Sequence, residues 1–149
     1  MSSPQKSANP DFEKSVRESF GRQGLMGTIG AWLVEVAPGR VVIELPFSAR
    51  IAQQHGHFHG AVIGALGDTA GGYAVLSLLP GGSEVVTVEY KINFIAPAKG
   101  QLLRANATVI KAGKTLSVVR VDVSCINEGR AGECALLQAT MMRAPKPPK

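Results

Sequence analysis

The sequence predicts an α+β fold in which one antiparallel sheet of about six strands wraps around a long central helix, with a short helix in front. Three observations carry this. First, His59 to Leu79 is long, apolar and rich in Ala, Leu and Gly, and its length fits a buried helix better than a strand. Second, beyond Pro80-Gly81-Gly82 the pattern changes to period two: Val86, Val88, Tyr90, Ile92 and Phe94 alternate with Thr87, Glu89, Lys91 and Asn93. Third, turn residues at Ala96–Gly100, Lys111–Lys114 and Asn127–Arg130 cut the remainder into the strands of a meander.

Taken in order, residues 1–8 read as a flexible tail. Asn9-Pro10-Asp11 is a helix start, with Asn as N-cap and Pro at the first helical position. Phe12, Val16 and Phe20 then form one stripe of a short helix that Gly21 and Gly24 end. Thr28 to Val36 and Val41 to Phe47 read as a hairpin joined at Pro38-Gly39. Ser48 to Phe58 is a polar, His-rich connection to the central helix. Strands follow over Val86 to Phe94, Leu103 to Val109, Leu116 to Ile126 and Ala131 to Met142. A single domain over 9–143 and a Pro/Lys-rich tail over 144–149 complete the organisation.

Composition narrows the classes of function. A chain of 149 residues with 45% apolar and 18% charged residues is long enough to bury a core. The net charge of +5 suits an anionic small molecule. No Lys/Arg run with interleaved aromatics argues for nucleic acid. The N-terminus lacks an apolar core of the signal-peptide kind, and the longest apolar stretch is broken by Asp68 and glycines, so neither export nor a membrane span is expected. Cys125 and Cys134 fit no metal or redox spacing, and a cytosolic protein with reduced thiols is expected.

The candidate site centres on Asp68. It lies in an apolar, small-residue segment, and no Lys or Arg occurs between Arg50 and Lys91 to pair with it. An acid placed so is held by something distant or kept for chemistry. Gly60, Gly64, Gly67, Gly71 and Gly72 each cost helix stability, so they are expected to serve close packing against the sheet. His55, His57 and His59 alternate, but no carboxylate or Cys nearby completes a ligand set, so no metal is expected and no cofactor is called for.

Three motifs together resemble the PaaI-type hotdog-fold acyl-CoA thioesterases. They are His59-Gly60 with Asp68 eight residues on, the run Val86-Thr87-Val88-Glu89-Tyr90-Lys91-Ile92-Asn93-Phe94-Ile95-Ala96-Pro97-Ala98, and then Gly113-Lys114-Thr115-Leu116. The resemblance spans about Gly24 to Met142. It implies a hotdog fold and hydrolysis of an acyl- or aryl-acyl-CoA to the free acid and CoA. It also implies sites built between protomers of a homodimer, and a dimer-of-dimers tetramer.

The residues fit that chemistry. Gly60 stands at a helix N-terminus, where its N–H is a candidate oxyanion donor. Asp68 is the candidate base or nucleophile. Eight residues of helix separate the two by about 12 Å, so one carbonyl needs Gly60 of one chain and Asp68 of another. By resemblance, Gln53, His59 and Thr87 position the reactants, while Glu89, Phe94, Lys111, Gly113, Lys114 and Thr115 contact coenzyme A. Ala61 replaces a second glycine common in relatives, and its methyl is expected to narrow the acyl pocket. Two other classes stay open at this stage: a hydratase or dehydratase on β-hydroxyacyl thioesters, and a non-catalytic acyl-CoA-binding domain.

Overall fold

A 17-residue helix, α3 (Gly60–Leu76), packs against five of the six strands of one antiparallel sheet. The computed structural model describes residues 4–145. Two short helices lead in, α1 (Phe12–Gly21) and α2 (Gly24–Ile29), followed by β1 (Trp32–Ala37) and β2 (Arg40–Pro46). After α3 come β3 (Glu84–Phe94), β4 (Leu102–Ala112), β5 (Leu116–Asn127) and β6 (Arg130–Ala144). The sheet order is β1-β2-β4-β5-β6-β3, so the strand that follows the helix takes the far edge. This is the α+β hotdog arrangement expected from the sequence.

The central helix is apolar nearly all round because sheet surrounds it. Leu66, Ala70 and Ala74 are fully buried against Val121, Leu137, Ala139 and Met141. Its glycines do serve close packing. A Cβ on Gly60, Gly64, Gly67 or Gly71 would stand 3.0–3.1 Å from Phe94, Tyr90, Leu137 or Val119 respectively. Gly71→Leu is therefore expected to destabilise the fold by about 2–3 kcal/mol despite leucine's better helix propensity, read as a lower denaturation midpoint. Gly72 is the exception: a Cβ there would meet nothing within 4 Å.

The first 36 residues depart from the sequence reading in two places. The N-cap of α1 is Asp11, and the Asn9 side chain instead accepts the Asp11 N–H at 3.0 Å. The strand expected from Thr28 begins only at Trp32, because Gly24–Ile29 is a second helix. Met26 is completely buried and anchors that helix, and Gly30, at φ 83°, closes it by donating to the Met26 and Gly27 carbonyls. In the segment read as a tail, the Gln5 amide donates to the Val109 carbonyl and the Ala8 N–H to the Leu78 carbonyl. Ala144 closes β6, while 1–3 and 146–149 lie outside the described residues.

Strand β3 carries the feature that shapes the site. Its alternation is broken by a bulge between Thr87 and Glu89. Thr87, Tyr90, Ile92 and Phe94 pair with Met141, Ala139, Leu137 and Ala135, all inward-facing residues of β6. Uniform alternation would set Thr87 on the face opposite Tyr90 and Phe94. The extra residue, Val88, returns it to the helix side, a common use of a bulge beside a site.

Candidate active site

Three contacts run along β3 and α3 in opposite directions: Phe94 lies against Gly60, Tyr90 against Gly64, and Thr87 against Asp68. The Thr87 hydroxyl donates to Asp68 Oδ1 at 2.7 Å. Asp68 is half-buried rather than enclosed, so the burial expected from its apolar neighbours does not hold within the protomer. That position faces the edge strand β3 and a cavity of about 320 Å³. Gln23, Leu25, Gly72, Tyr73 and Thr87 also line this cavity. Sequence reasoning missed Gln23 and Leu25, because they sit on the helix that read as coil and strand.

At the other end of the site, the N-terminus of α3 spends its first-turn donors in an ordered way. His59 is the N-cap, with extended backbone at φ −66° and ψ 137°. Its Nδ1 accepts the Ala61 N–H at 2.9 Å, and its carbonyl accepts from Val62 and Ile63. The Gly60 N–H has no partner among the described residues. The cap thus leaves one N–H of the first turn unspent, at the residue without a Cβ, where the helix dipole adds positive charge. The imidazole nitrogen that accepts is unprotonated, so a neutral His59 carries its proton on Nε2.

The other expected residues divide. Gln53 turns its Oε1 back into its own loop, where the His55 and His57 N–H groups point at it, so its amide nitrogen is the end left to face outwards. Phe94 joins the Gly60 end. Glu89 does not join the site, because the bulge puts it on the outer face, where it accepts from the Thr140 hydroxyl at 2.6 Å. Lys111 lies at the end of β4, not in the turn, opposite Val118 on the outer face. Gly113, Lys114 and Thr115 form the β4–β5 turn. A Cβ on Gly113 would stand 2.0 Å from the Leu116 carbonyl oxygen, so only glycine closes this turn. Ala61 is exposed and does not line the cavity beside Asp68.

No group of three His, Cys, Asp or Glu side chains that could hold a metal occurs among the described residues. Cys125 and Cys134 are buried free thiols, and burial pushes the Cys134 thiol up to about 11, leaving it protonated and unreactive. No helix among the described residues is long and apolar enough to cross a membrane.

Comparison with known proteins fits this geometry. The family model described as the thioesterase superfamily matches residues 55–131, which hold Gly60, Asp68, Thr87 and the β4–β5 turn. A thioesterase family protein from Silicibacter pomeroyi is 37% identical, with a TM-score of 0.87 over 89% of this chain and 97% of that one. Human acyl-coenzyme A thioesterase 13 is 33% identical over 62% of this chain and 66% of its own length. The Escherichia coli PaaI protein of the phenylacetic acid degradation operon shares the fold, with a TM-score of 0.82 over 94% of this chain and 98% of that one at 22% identity. The chain belongs to the thioesterase superfamily. It is an enzyme of the hydrolase class, and the hotdog resemblance read from its motifs holds.

Proposed function

We propose that this protein hydrolyses acyl-CoA thioesters at sites shared between the two protomers of a homodimer. The observation that carries this is the placement of an unspent Gly60 N–H and a Thr87-held Asp68 at opposite ends of one uncovered strand edge. Eight residues of α3 separate them, a rise of about 12 Å, which is too far for a single carbonyl. On β3, Val86, Val88, Tyr90 and Phe94 are 45%, 53%, 43% and 55% exposed. An uncovered apolar edge of this kind is a template for pairing. A second copy docking antiparallel along it brings its own Gly60–Phe94 end to Asp68 and Thr87 of the first. Two-fold symmetry then makes two equal sites.

The chemistry follows from the parts. Gly60 of one protomer donates to the thioester oxygen, and that hydrogen bond strengthens as water adds and negative charge grows there. Thr87 occupies Asp68 Oδ1, leaving Oδ2 of the other protomer to accept the proton of the attacking water. Collapse of the tetrahedral adduct breaks the C–S bond, and the departing thiolate takes the proton back. Direct attack by Asp68 uses the same oxygen and passes through an anhydride that water cleaves.

The coenzyme is accommodated at the same end. Leu116, Met142 and Val86 share one register row across β5, β6 and β3, so the β4–β5 turn stands about 10 Å from the Asp68 end of β3. Lys114 in that turn and Lys111 at the adjoining end of β4 are exposed cations, suited to the CoA phosphates. A likeness to human acyl-coenzyme A thioesterase 13 supports CoA as the carrier.

Thiol release measured across short, long and aromatic acyl-CoAs tests the reading. Free CoA should appear with at least one class of substrate. Tight binding without thiol release would make this a binding domain, and a change in enoyl absorbance without thiol would make it a hydratase.

A further inference from the structure

We propose that the α1–α2 elbow determines acyl specificity, with the Gln23 amide recognising a hydrogen-bonding group at the far end of the acyl chain. This rests on the reading of Asp68 as the group that works on the thioester.

Two hydrogen-bonded pairs line the cavity beside Asp68: Thr87 with Asp68, and Gln23 with Tyr73. Tyr73 is buried to 6% exposure, and its ring packs edge-on against Phe20 at 5.9 Å. The Gln23 amide donates to the Tyr73 hydroxyl at 3.1 Å, and the Ser19 hydroxyl lies 3.1 Å from the same oxygen. The Tyr73 hydroxyl is thus filled by its neighbours and serves as a positioning group. Gln23 keeps one amide N–H and its Oε1 without partners among the described residues. Gln23 is exposed where it lines the cavity, and its bond to Tyr73 fixes a side chain with a donor and an acceptor unspent, which suits a hydroxyl.

A second cavity of about 190 Å³ continues beyond this wall and shares Ser19, Leu76 and Glu84 with the first. Ser83, only 8% exposed, lines it, and its hydroxyl is buried without a partner among the described residues. The far end is polar on both sides. Leu25, by contrast, is 55% exposed and lines the first cavity, where its side chain would cover the middle of an acyl chain.

Two further observations bear on specificity. Ser19, Gln23 and Leu25 lie outside residues 55–131, the segment that the superfamily model matches. The superfamily model therefore spans α3 and leaves the elbow out. Gly72 also lines the cavity, and a Cβ there would meet nothing within 4 Å. Its sister glycines make room for the sheet, whereas Gly72 keeps the cavity open. Asp68 and Tyr73 are five residues apart on α3, a rise of about 7.5 Å, which is the reach of about six bonded chain atoms.

The test compares kcat/KM for acetyl-CoA, hexanoyl-CoA and 6-hydroxyhexanoyl-CoA. The parent should favour the hydroxyl-ended chain over hexanoyl by about tenfold, the effect of one added hydrogen bond. Gln23→Leu should erase that preference. It removes no cap, because the Gln23 side chain makes no capping bond to α2. Tyr73→Phe keeps the Phe20 contact and should weaken the preference through KM. Gly72→Leu should lower both six-carbon substrates at least about tenfold relative to acetyl-CoA, with the thermal midpoint unchanged or raised. A parent without the hydroxyl preference, a Gln23→Leu protein that keeps it, or a Gly72→Leu protein with the parental length profile overturns the proposal. A parent that releases thiol from none of the three overturns this proposal, and one that releases none from long or aromatic acyl-CoAs either overturns the thioesterase reading as well. A parent that hydrolyses them with Asp68 required, yet without the preference, overturns this proposal alone.

Discussion

Asp68→Asn is expected to lower kcat about 1,000-fold while leaving the fold and the dimer intact. Asparagine keeps the shape of the side chain, and the Thr87 hydroxyl can donate to the amide oxygen as it does to Asp68 Oδ1. Asp68 is half-buried and makes no salt bridge among the described residues, so no ion pair is lost with the charge. What disappears is the second oxygen's ability to accept a proton from water. Steady-state thiol release should show the loss in kcat and little change in KM, because the interaction removed is made in the transition state. Turnover at the parental rate would remove Asp68 from the mechanism.

Gly60→Pro is expected to cost about 100-fold in kcat, the usual effect of deleting one oxyanion donor. The substitution is unusually clean here. Gly60 is the first residue of α3, the position where proline is best tolerated, and its N–H is the one that the helix does not spend. His59 already has the extended backbone that a following proline requires. The ring would press on Phe94, an exposed side chain free to turn aside. Melting should therefore change little, while the rate falls. If Gly60→Pro kept full activity, the oxyanion would have to be held elsewhere.

Much of the candidate site's geometry was legible in the sequence because it is written locally. A helix start at His59-Gly60 and an acid two turns later are fixed by spacing alone, and the rise of about 12 Å between them is what motivates the two-chain proposal. The glycine stripe likewise followed from helix propensity, since only close packing offsets its cost. The misreadings arose where tertiary context decides. Glycine-rich Gly24–Ile29 has poor helix propensity and becomes a helix through the buried Met26. Period-two reading of β3 put Thr87 and Glu89 on one face. The bulge at Val88 separates them, sending Thr87 to Asp68 and Glu89 to the outer surface. A one-residue insertion in pairing register leaves no mark in composition. The exposure of Asp68 was equally hidden, because it depends on where β3 ends against α3. Ala61, expected to narrow the acyl pocket, is not among the residues lining the protomer's cavity, whereas Gly72 and the α1–α2 elbow are.

The central claim is that each site takes Asp68 from one protomer and Gly60 from the other, and complementation between inactive chains tests it most directly. Asp68→Asn and Gly60→Pro chains, each nearly inactive alone, would be co-refolded in equal amounts and assayed for thiol release. Random pairing makes half the dimers mixed, and each mixed dimer regains one intact site of two. The account predicts recovery of about a quarter of parental activity. A mixture no more active than its two components would show that each chain builds its site from its own residues, and would contradict the account.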